Sequence, residues 1–293
     1  WKMNPFSAVV RNGYMYGLGA TDCKVNLACA LEAIKQIVTE KTKLGYTLIF
    51  AATADEESGS NVGLIPLLDK GLLSVDAALV LDADDFAIIV AQKGLMHVKV
   101  KIKGLKAHGA YPWKGKNAIA MAVNILQDVQ KQRFVKIKNR FLHPATVNIG
   151  TIKGGDKVNV VADWCEFELD YRFLPGTQEK PILNDLKKII KRYAHKYSVE
   201  VDGVQDPYTI ALSHPLVTSL CNAWRKNKIR PCLQGSEGAT VITFFQHKNI
   251  PAVATGFGLG GKAHMADECV SLKNLRQGVC VLKDFLTHFA FGL

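Results

Sequence analysis

The apolar residues of this chain follow two different strand patterns, and that limits the folds open to it. The runs 46–53 and 77–82, with Tyr46-Thr47-Leu48-Ile49-Phe50-Ala51-Ala52 and Ala77-Ala78-Leu79-Val80-Leu81-Asp82, are apolar almost throughout. Strands of this kind belong to a central sheet covered by helices on both faces. Further on, Val98, Val100 and Ile102 alternate with Lys99, Lys101 and Lys103, which predicts a strand with one buried and one wet face. A helix over Asn117–Lys131, strands near 146–152 and 164–173, a helix near 178–196 and a strand near 198–202 follow. With the alternating strand they give the order β-α-β-β-α-β of a ferredoxin-like module. Before it, residues 25–41 have helical spacing. After Asp206-Pro207 come helices at 214–226 and 239–247, the short strand Ala252-Val253-Ala254 and a closing helix at 272–289. The expectation is an α/β domain made of residues 1–93 and 206–293, interrupted by a smaller α+β domain at 94–205.

The first apolar run leads into Thr53-Ala54-Asp55-Glu56-Glu57-Ser58-Gly59. Three adjacent carboxylates at the end of a buried strand raise one another's pKa, and burial adds to the cost. A bound cation cancels both penalties, and carboxylate oxygens suit divalent metals. A solvated acidic turn is the simpler reading of such a run taken alone. Four other segments carry matching chemistry. Asp22 sits in a Gly-rich turn, Tyr16-Gly17-Leu18-Gly19-Ala20-Thr21-Asp22-Cys23-Lys24, just before a helix. Asp82 ends an apolar strand, where α/β proteins place ligands, with Asp84 and Asp85 competing from nearby. Ala263-His264-Met265-Ala266-Asp267-Glu268 follows a Gly-rich run at 256–261. Lys106-Ala107-His108-Gly109-Ala110-Tyr111-Pro112 reads as a lid-like segment, in the same inserted domain as Gly115, Asn117, Asn159 and Arg172.

Composition narrows the classes. With 48% hydrophobic and 22% charged residues the 293-residue chain is globular in type, and no apolar run reaches the length of a membrane span. The seven cysteines are scattered, without a C-x-x-C pair, which argues for buried free thiols in a reducing compartment and against a zinc ribbon. The net charge of +11 is spread along the chain with no nucleic-acid motif near it, so it suits anionic small substrates better than nucleic acid. The chain opens Trp1-Lys2-Met3-Asn4-Pro5-Phe6, which is neither a start methionine nor a signal peptide, so its natural N-terminus is expected to be absent.

Together and in this order the segments resemble the co-catalytic zinc peptidase and amidohydrolase family of acetylornithine deacetylase, succinyl-diaminopimelate desuccinylase, aminoacylase and glutamate carboxypeptidase. The resemblance covers essentially the whole chain. It rests on Gly-x-Gly-Ala-x-Asp-x-Lys at 17–24, Asp55-Glu56-Glu57, Lys93-Gly94, and His108-x-x-x-Pro112-x-x-Gly115-x-Asn117-Ala118. Asn159-Val160-Val161 thirteen residues before Arg172, and His264-x-x-Asp267-Glu268, complete it. It implies a mixed central sheet flanked by helices, interrupted by a lid and dimerisation domain. It implies two zinc ions, with cobalt or manganese as substitutes. Asp22 would bridge them, Glu57 and His264 would complete one site, and Asp82 would belong to the other. Glu56 would be general base and proton shuttle. His108, Asn159 and Arg172 would grip the substrate's amide oxygen and carboxylate, with Glu237, in Gln234-Gly235-Ser236-Glu237-Gly238-Ala239, on the substrate side. Asp267 or Glu268 would support His264.

The implied activity is hydrolysis of the amide bond of an N-acyl amino acid or short peptide with a free carboxylate. The implied setting is a cytoplasmic enzyme, with a possible homodimer through the inserted domain, and no nucleic-acid or membrane partner. Two departures stand out. The family carries a His-x-Asp segment upstream of its Trp-x-x-x-Pro-Phe, and these residues offer no counterpart, so the expectation is an N-terminally truncated member. Val25-Asn26 stands where small glycines are usual, and a bulky Val there is expected to shift the helix start. The alternative is a catalytically impaired fragment or degenerate paralogue that keeps the fold and binds one metal or a partner.

Overall fold

The computed structural model describes residues 1–135 and 137–290. Two short strands, β1 (Val9–Arg11) and β2 (Tyr14–Tyr16), form a hairpin. An irregular turn at Ala20–Lys24 then runs into α1 (Val25–Thr39). Next come α2 (Leu64–Asp69), β3 (Ala78–Leu81) and β4 (Ala87–Gln92). The inserted elements are β5 (Gly94–Lys103), α3 (Ala118–Gln130), β6 (Thr146–Gly154), β7 (Trp164–Phe173), α4 (Glu179–Tyr193) and β8 (Tyr197–Gln205). The chain then adds β9 (Tyr208–Thr209), α5 (Pro215–Lys226), β10 (Cys232–Ser236), α6 (Ile242–His247), β11 (Ala252–Thr255), β12 (Cys269–Ser271) and α7 (Leu272–His288). Two units result, one of residues 1–91, 208–235 and 240–293, the other of residues 92–207 and 236–239.

In the first unit the main sheet has the order β10-β4-β11-β3, with β9 added to β4. β3 and β11 run parallel, from Ala78↔Ala252 to Leu81↔Thr255, while β11 and β4 are antiparallel. This sheet is mixed, and β4 and β11 are buried along their whole length. Trp224 of α5 is fully buried, meets Phe86 edge to face, and donates its indole N–H to the Phe86 carbonyl at 2.7 Å. α1 packs on α7 at a close approach that only glycine allows, since a side chain at Gly278 would press on the Phe257 ring and Cys29. A second sheet, β1-β2-β12, is antiparallel.

The run 46–53 does not form the expected strand. Among the described residues it has no ladder partner, and its Ile49 and Phe50 are exposed. A strand is a paired structure, and apolar composition alone supplies no hydrogen-bonding neighbour. Tyr46 is instead tied to α7, its hydroxyl donating to the Leu286 carbonyl at 2.6 Å.

In the second unit β6-β7-β5-β8 form an antiparallel sheet. The alternation at 94–103 sorts side chains to the two faces of the sheet: Met96, Val98, Val100 and Ile102 are buried, and Lys99 and Lys101 pair with Glu168 and Glu200 on the other face. Two helices cover the apolar face. α4 contributes Ile182, Leu186, Ile189 and Ile190, at the i, i+4, i+7, i+8 spacing of one helical stripe. Each such side chain removed from water stabilises by roughly 1.5–3 kcal/mol. Asn117 caps α3, its Oδ1 accepting the N–H of Ile119 and Ala120. That cap is worth about 1 kcal/mol.

Candidate metal centre

Asp22 is held by a carboxylate nearly 250 residues away. Glu268, buried at the start of β12, accepts the N–H of Gly19 through Oε2 at 2.6 Å, and those of Thr21 and Asp22 through Oε1 at 2.8 and 2.9 Å. The Thr21 hydroxyl donates to the Cys269 carbonyl at 2.6 Å. Gly19 lies at φ 68, so the turn uses a conformation that suits glycine. Asp55 is spent in a similar way. It accepts the Ser60 N–H at its carbonyl, 2.7 Å, and the Val62 N–H at Oδ2, 2.9 Å. This leaves the next two carboxylates, Glu56 and Glu57, on the short turn Glu56–Ser58. Asp82 follows the end of β3. His264 follows the Gly-rich loop after β11, at φ 58.

Three of these side chains converge. His264 Nε2 lies 3.3 Å from Asp22 Oδ2 and 3.8 Å from Glu57 Oε2, and one ligand atom of each lies within 4.8 Å of the others. Tetrahedral zinc with bonds of about 2.0–2.2 Å needs donors roughly 3.3–3.6 Å apart. The His264 distances of 3.3 and 3.8 Å are near that spacing, so the Asp22–Glu57–His264 set could close on a divalent ion. Asp82 lies outside this trio. It lines a cavity of about 180 Å³ with Asp22, Cys23, Asn26 and Asp84.

The electrostatics are those of a crowded anionic site. Burial, then Asp82, Glu57 and Asp22, push Glu56 up to about 7, opposed by His264. Burial, then Asp22 and Glu57, push Asp82 up to about 6. Asp84 rises to about 6 through burial and then Asp85, Asp22, Asp82 and Glu268. The Cys23 thiol is pushed up to about 11 by burial and the surrounding carboxylates. A cation among them relieves the repulsion that adds to the effect of burial in these shifts.

The other expected site residues lie in the second unit. His108 and Asn159 are neighbours, through a bridge between His108 and Val160 and a 2.8 Å bond from the Gly109 N–H to the Asn159 carbonyl. His108 Nδ1 accepts the Ala110 N–H at 3.0 Å. Arg172 on β7 forks onto Asp170, Nε to Oδ1 at 2.8 Å and Nη2 to Oδ2 at 3.1 Å. Glu237 is engaged within the chain. It accepts from the buried Lys93 ammonium at 2.6 Å, and its Oε1 accepts the His143 N–H at 2.9 Å, with His143 Nδ1 at 3.0 Å.

Some support residues differ from expectation. Neither Asp267 nor Glu268 holds His264. Asp267 Oδ1 accepts the N–H of Lys2 and Met3, and Glu268 organises the Asp22 turn, because three converging N–H groups outcompete one imidazole for a buried carboxylate. α1 begins at Val25, with that side chain buried, directly after the irregular turn Ala20–Lys24. Asn26 has a part that sequence reasoning missed. It is fully buried, donates Nδ2 to the Leu81 carbonyl at 3.1 Å, and accepts the Phe257 N–H at 2.8 Å. The parallel pairing of β3 and β11 ends at Leu81↔Thr255, and the Asn26 amide spans the gap beyond it, next to Asp82. The signal available was a polar side chain four residues after Asp22, at the start of an otherwise apolar helix.

Comparison with known proteins supplies the family. The model of peptidase family M20/M25/M40 matches residues 1–288. The chain belongs to that family. It is accordingly a metal-binding hydrolase of the metallopeptidase type. A succinyl-diaminopimelate desuccinylase of Buchnera aphidicola is 25% identical over 298 residues, covering 98% of this chain and 79% of the relative. Among solved structures, the aminopeptidase PepT of Bacillus cereus superposes with a TM-score of 0.82 at 24% identity, over 95% of this chain and 75% of that one. An M20 family metallo-carboxypeptidase of Sulfolobus solfataricus gives a TM-score of 0.79 at 19% identity, over 99% and 80%. These two share the fold. No helix among the described residues is long and apolar enough to cross a membrane.

Proposed function

We propose that this protein hydrolyses the amide bond of an N-acyl amino acid or short peptide bearing a free carboxylate, with zinc as its metal. The observation that carries the reading is the approach of Asp22, Glu57 and His264 to within metal-ligand spacing, beside a Glu56 whose pKa is pushed up to about 7. Asp22, Glu57 and His264 would hold one ion, and Asp22 with Asp82 a second. Bound metal supplies acidification of a water molecule and polarisation of the amide carbonyl. The chain's own residues supply the rest. Glu56 takes the proton from the attacking water and delivers it to the leaving amine, work suited to a base that titrates near neutrality. His108 donates to the developing oxyanion. Its Nδ1 already accepts the Ala110 N–H, so the neutral ring carries its proton on Nε2, which is the atom left to donate. Asn159 supplies an amide beside it, and Arg172 pairs with the substrate carboxylate. Glu237 acts through Lys93 and His143, shaping the 236–239 segment on the substrate side. Residues 94–205 serve as a lid and dimerisation domain, with the β6 edge or α3 as the contact.

The desuccinylase, whose name describes removal of an acyl group from a diamino diacid, and the metallo-carboxypeptidase, whose name describes cleavage next to a carboxyl terminus, support a carboxylate-bearing substrate. The test is release of free amine from a panel of N-acetyl and N-succinyl amino acids and dipeptides, with zinc added or chelated. Zinc-dependent turnover that disappears in Glu56→Gln is expected. Turnover that survives chelation overturns the reading.

A further inference from the structure

We propose that Tyr111, Trp113 and Lys114 form a subsite for a substrate residue that joins an aromatic or bulky apolar side chain to a free carboxylate. The subsite rests on reading His108 and Asn159 as substrate contacts and lies wholly within the unit that carries them. Trp113 is 74% exposed, Tyr111 is 50% exposed, and Val158, beside Asn159, is fully exposed. Large rings left in water forgo the burial that normally stabilises them. The backbone that carries these rings is nevertheless held in place. Pro112–Lys114 is a tight turn, with the Lys114 N–H bonded to the Tyr111 carbonyl at 3.0 Å. Leu105 and Lys116 exchange backbone bonds at 2.9 Å across the base of the loop. A Cβ at Gly109 would meet the Asn159 backbone at 2.9 Å, so glycine lets the loop lie flush against the Asn159 segment.

The rings form a corner that starts at His108. Tyr111 lies 5.9 Å from the His108 ring and meets Trp113 edge to face, with centroids 5.7 Å apart and planes at 83°. Lys114 Nζ stands 5.2 Å from the centre of the Tyr111 ring. The exposed Trp113 ring offers an apolar face, and the Lys114 ammonium over the neighbouring Tyr111 ring adds attraction for an anion. A C-terminal residue with a large apolar side chain carries both groups on one carbon, its carboxylate pairing with Arg172 as proposed above and drawn more weakly by the exposed Lys114 ammonium. A second copy of this chain is the competing occupant.

The test is calorimetric titration of the full chain, freed of metal by chelation, with N-acetylphenylalanine, N-acetylalanine and N-acetylphenylalaninamide. N-acetylphenylalanine is expected to bind about ten-fold or more tighter than N-acetylalanine, the preference an aromatic contact supplies. Trp113→Ala should remove most of that preference, and Trp113→Phe should restore part of it. Lys114→Ala should reduce the preference for the acid over its amide about five-fold. Circular dichroism and melting checks separate misfolding from loss of the site. Equal affinities in the unsubstituted protein, or a preference unchanged in Trp113→Ala, overturn the proposal. So does a Trp113→Ala variant that turns dimer into monomer in sedimentation while leaving the preference intact, since the rings then cover a second copy. Turnover by the zinc-loaded chain separates the two readings. Turnover without the preference keeps the hydrolase and removes the subsite, and the preference without turnover does the reverse.

Discussion

Glu268 Oε1 accepts the backbone N–H of Asp22 at 2.9 Å, so a buried carboxylate outside the Asp22–Glu57–His264 trio orients the residue proposed as its central ligand. The same side chain satisfies the N–H groups of Gly19 and Thr21. Hydrogen bonds to a charged group are worth about 1.5–3 kcal/mol each, and orphaned buried donors pay their desolvation in full. Glu268→Ala is expected to cost about 3–5 kcal/mol in denaturant unfolding, within the range of large single-site effects, and to weaken metal binding as well. A variant with unchanged unfolding and metal affinity would show that the turn holds itself.

Glu56 and Glu57 are adjacent and are expected to behave differently. Glu57 sits 3.8 Å from His264 Nε2 in the ligand trio, while Glu56 has the raised pKa without membership of it. Glu57→Gln should lose zinc on elemental analysis. Glu56→Gln should keep its zinc and lose about 10²–10⁴-fold in turnover, the size of a general acid–base contribution. Equal zinc contents with equal rates would remove both assignments.

The carboxylate cluster also sets a pH dependence for the metal-free protein. Glu56, Asp82 and Asp84 have folded pKa values of about 7, 6 and 6, above ordinary values of 4.5, 3.8 and 3.8. A raised carboxylate pKa means that the folded state binds the proton more tightly than the unfolded one. The stabilisation is therefore complete below about pH 4 and is lost as pH rises through 6 to 7. This cluster's share of stability should fall over that window, and added zinc should recover it, with a metal-induced rise in melting temperature that grows from pH 5 to pH 8. A zinc-induced shift that is flat across that range would show that the ion binds elsewhere.

The inserted domain was the more legible half of the fold, for a physical reason. Its strands are wet on one face, so Val98, Val100 and Ile102 alternate with lysines, and its helix α4 shows a single apolar stripe. Burial on both faces erases that signal in the central sheet. β4, Ala87–Gln92, is buried at every position and passes into β5 through only Lys93, so its start and end leave no mark in the sequence. The run 46–53 shows the converse error, since it has the composition of a buried strand but no partner to pair with. The three side chains that converge, Asp22, Glu57 and His264, stand in motifs visible in the sequence. The parts of Glu268 and Asn26 were not visible there, because both act on backbone groups far along the chain. A short motif shows a ligand but not the distant residue that aims it.

Arg172 and His108, both on the second unit, are proposed to contact different groups of the substrate. Arg172 already shares its Nε and Nη2 with Asp170, so a substrate carboxylate must use its remaining edge or displace Asp170. Removing it should affect only substrates that carry the anion. Arg172→Ala is expected to lower kcat/KM about ten-fold or more for an N-acyl amino acid and far less for its amide, as loss of a charge-assisted pair requires. His108 faces a different group. In the proposed role its Nε2–H serves the amide oxygen that every substrate has, and loss of one oxyanion donor costs about 10²–10³ in kcat. His108→Ala should therefore slow the acid and the amide alike, with zinc content unchanged in both variants. The measurement is kcat/KM for both substrates in the two single variants and the double variant. Equal slowing of acid and amide by Arg172→Ala would leave Arg172 as the structural partner of Asp170 on the β7 surface, with the carboxylate held elsewhere.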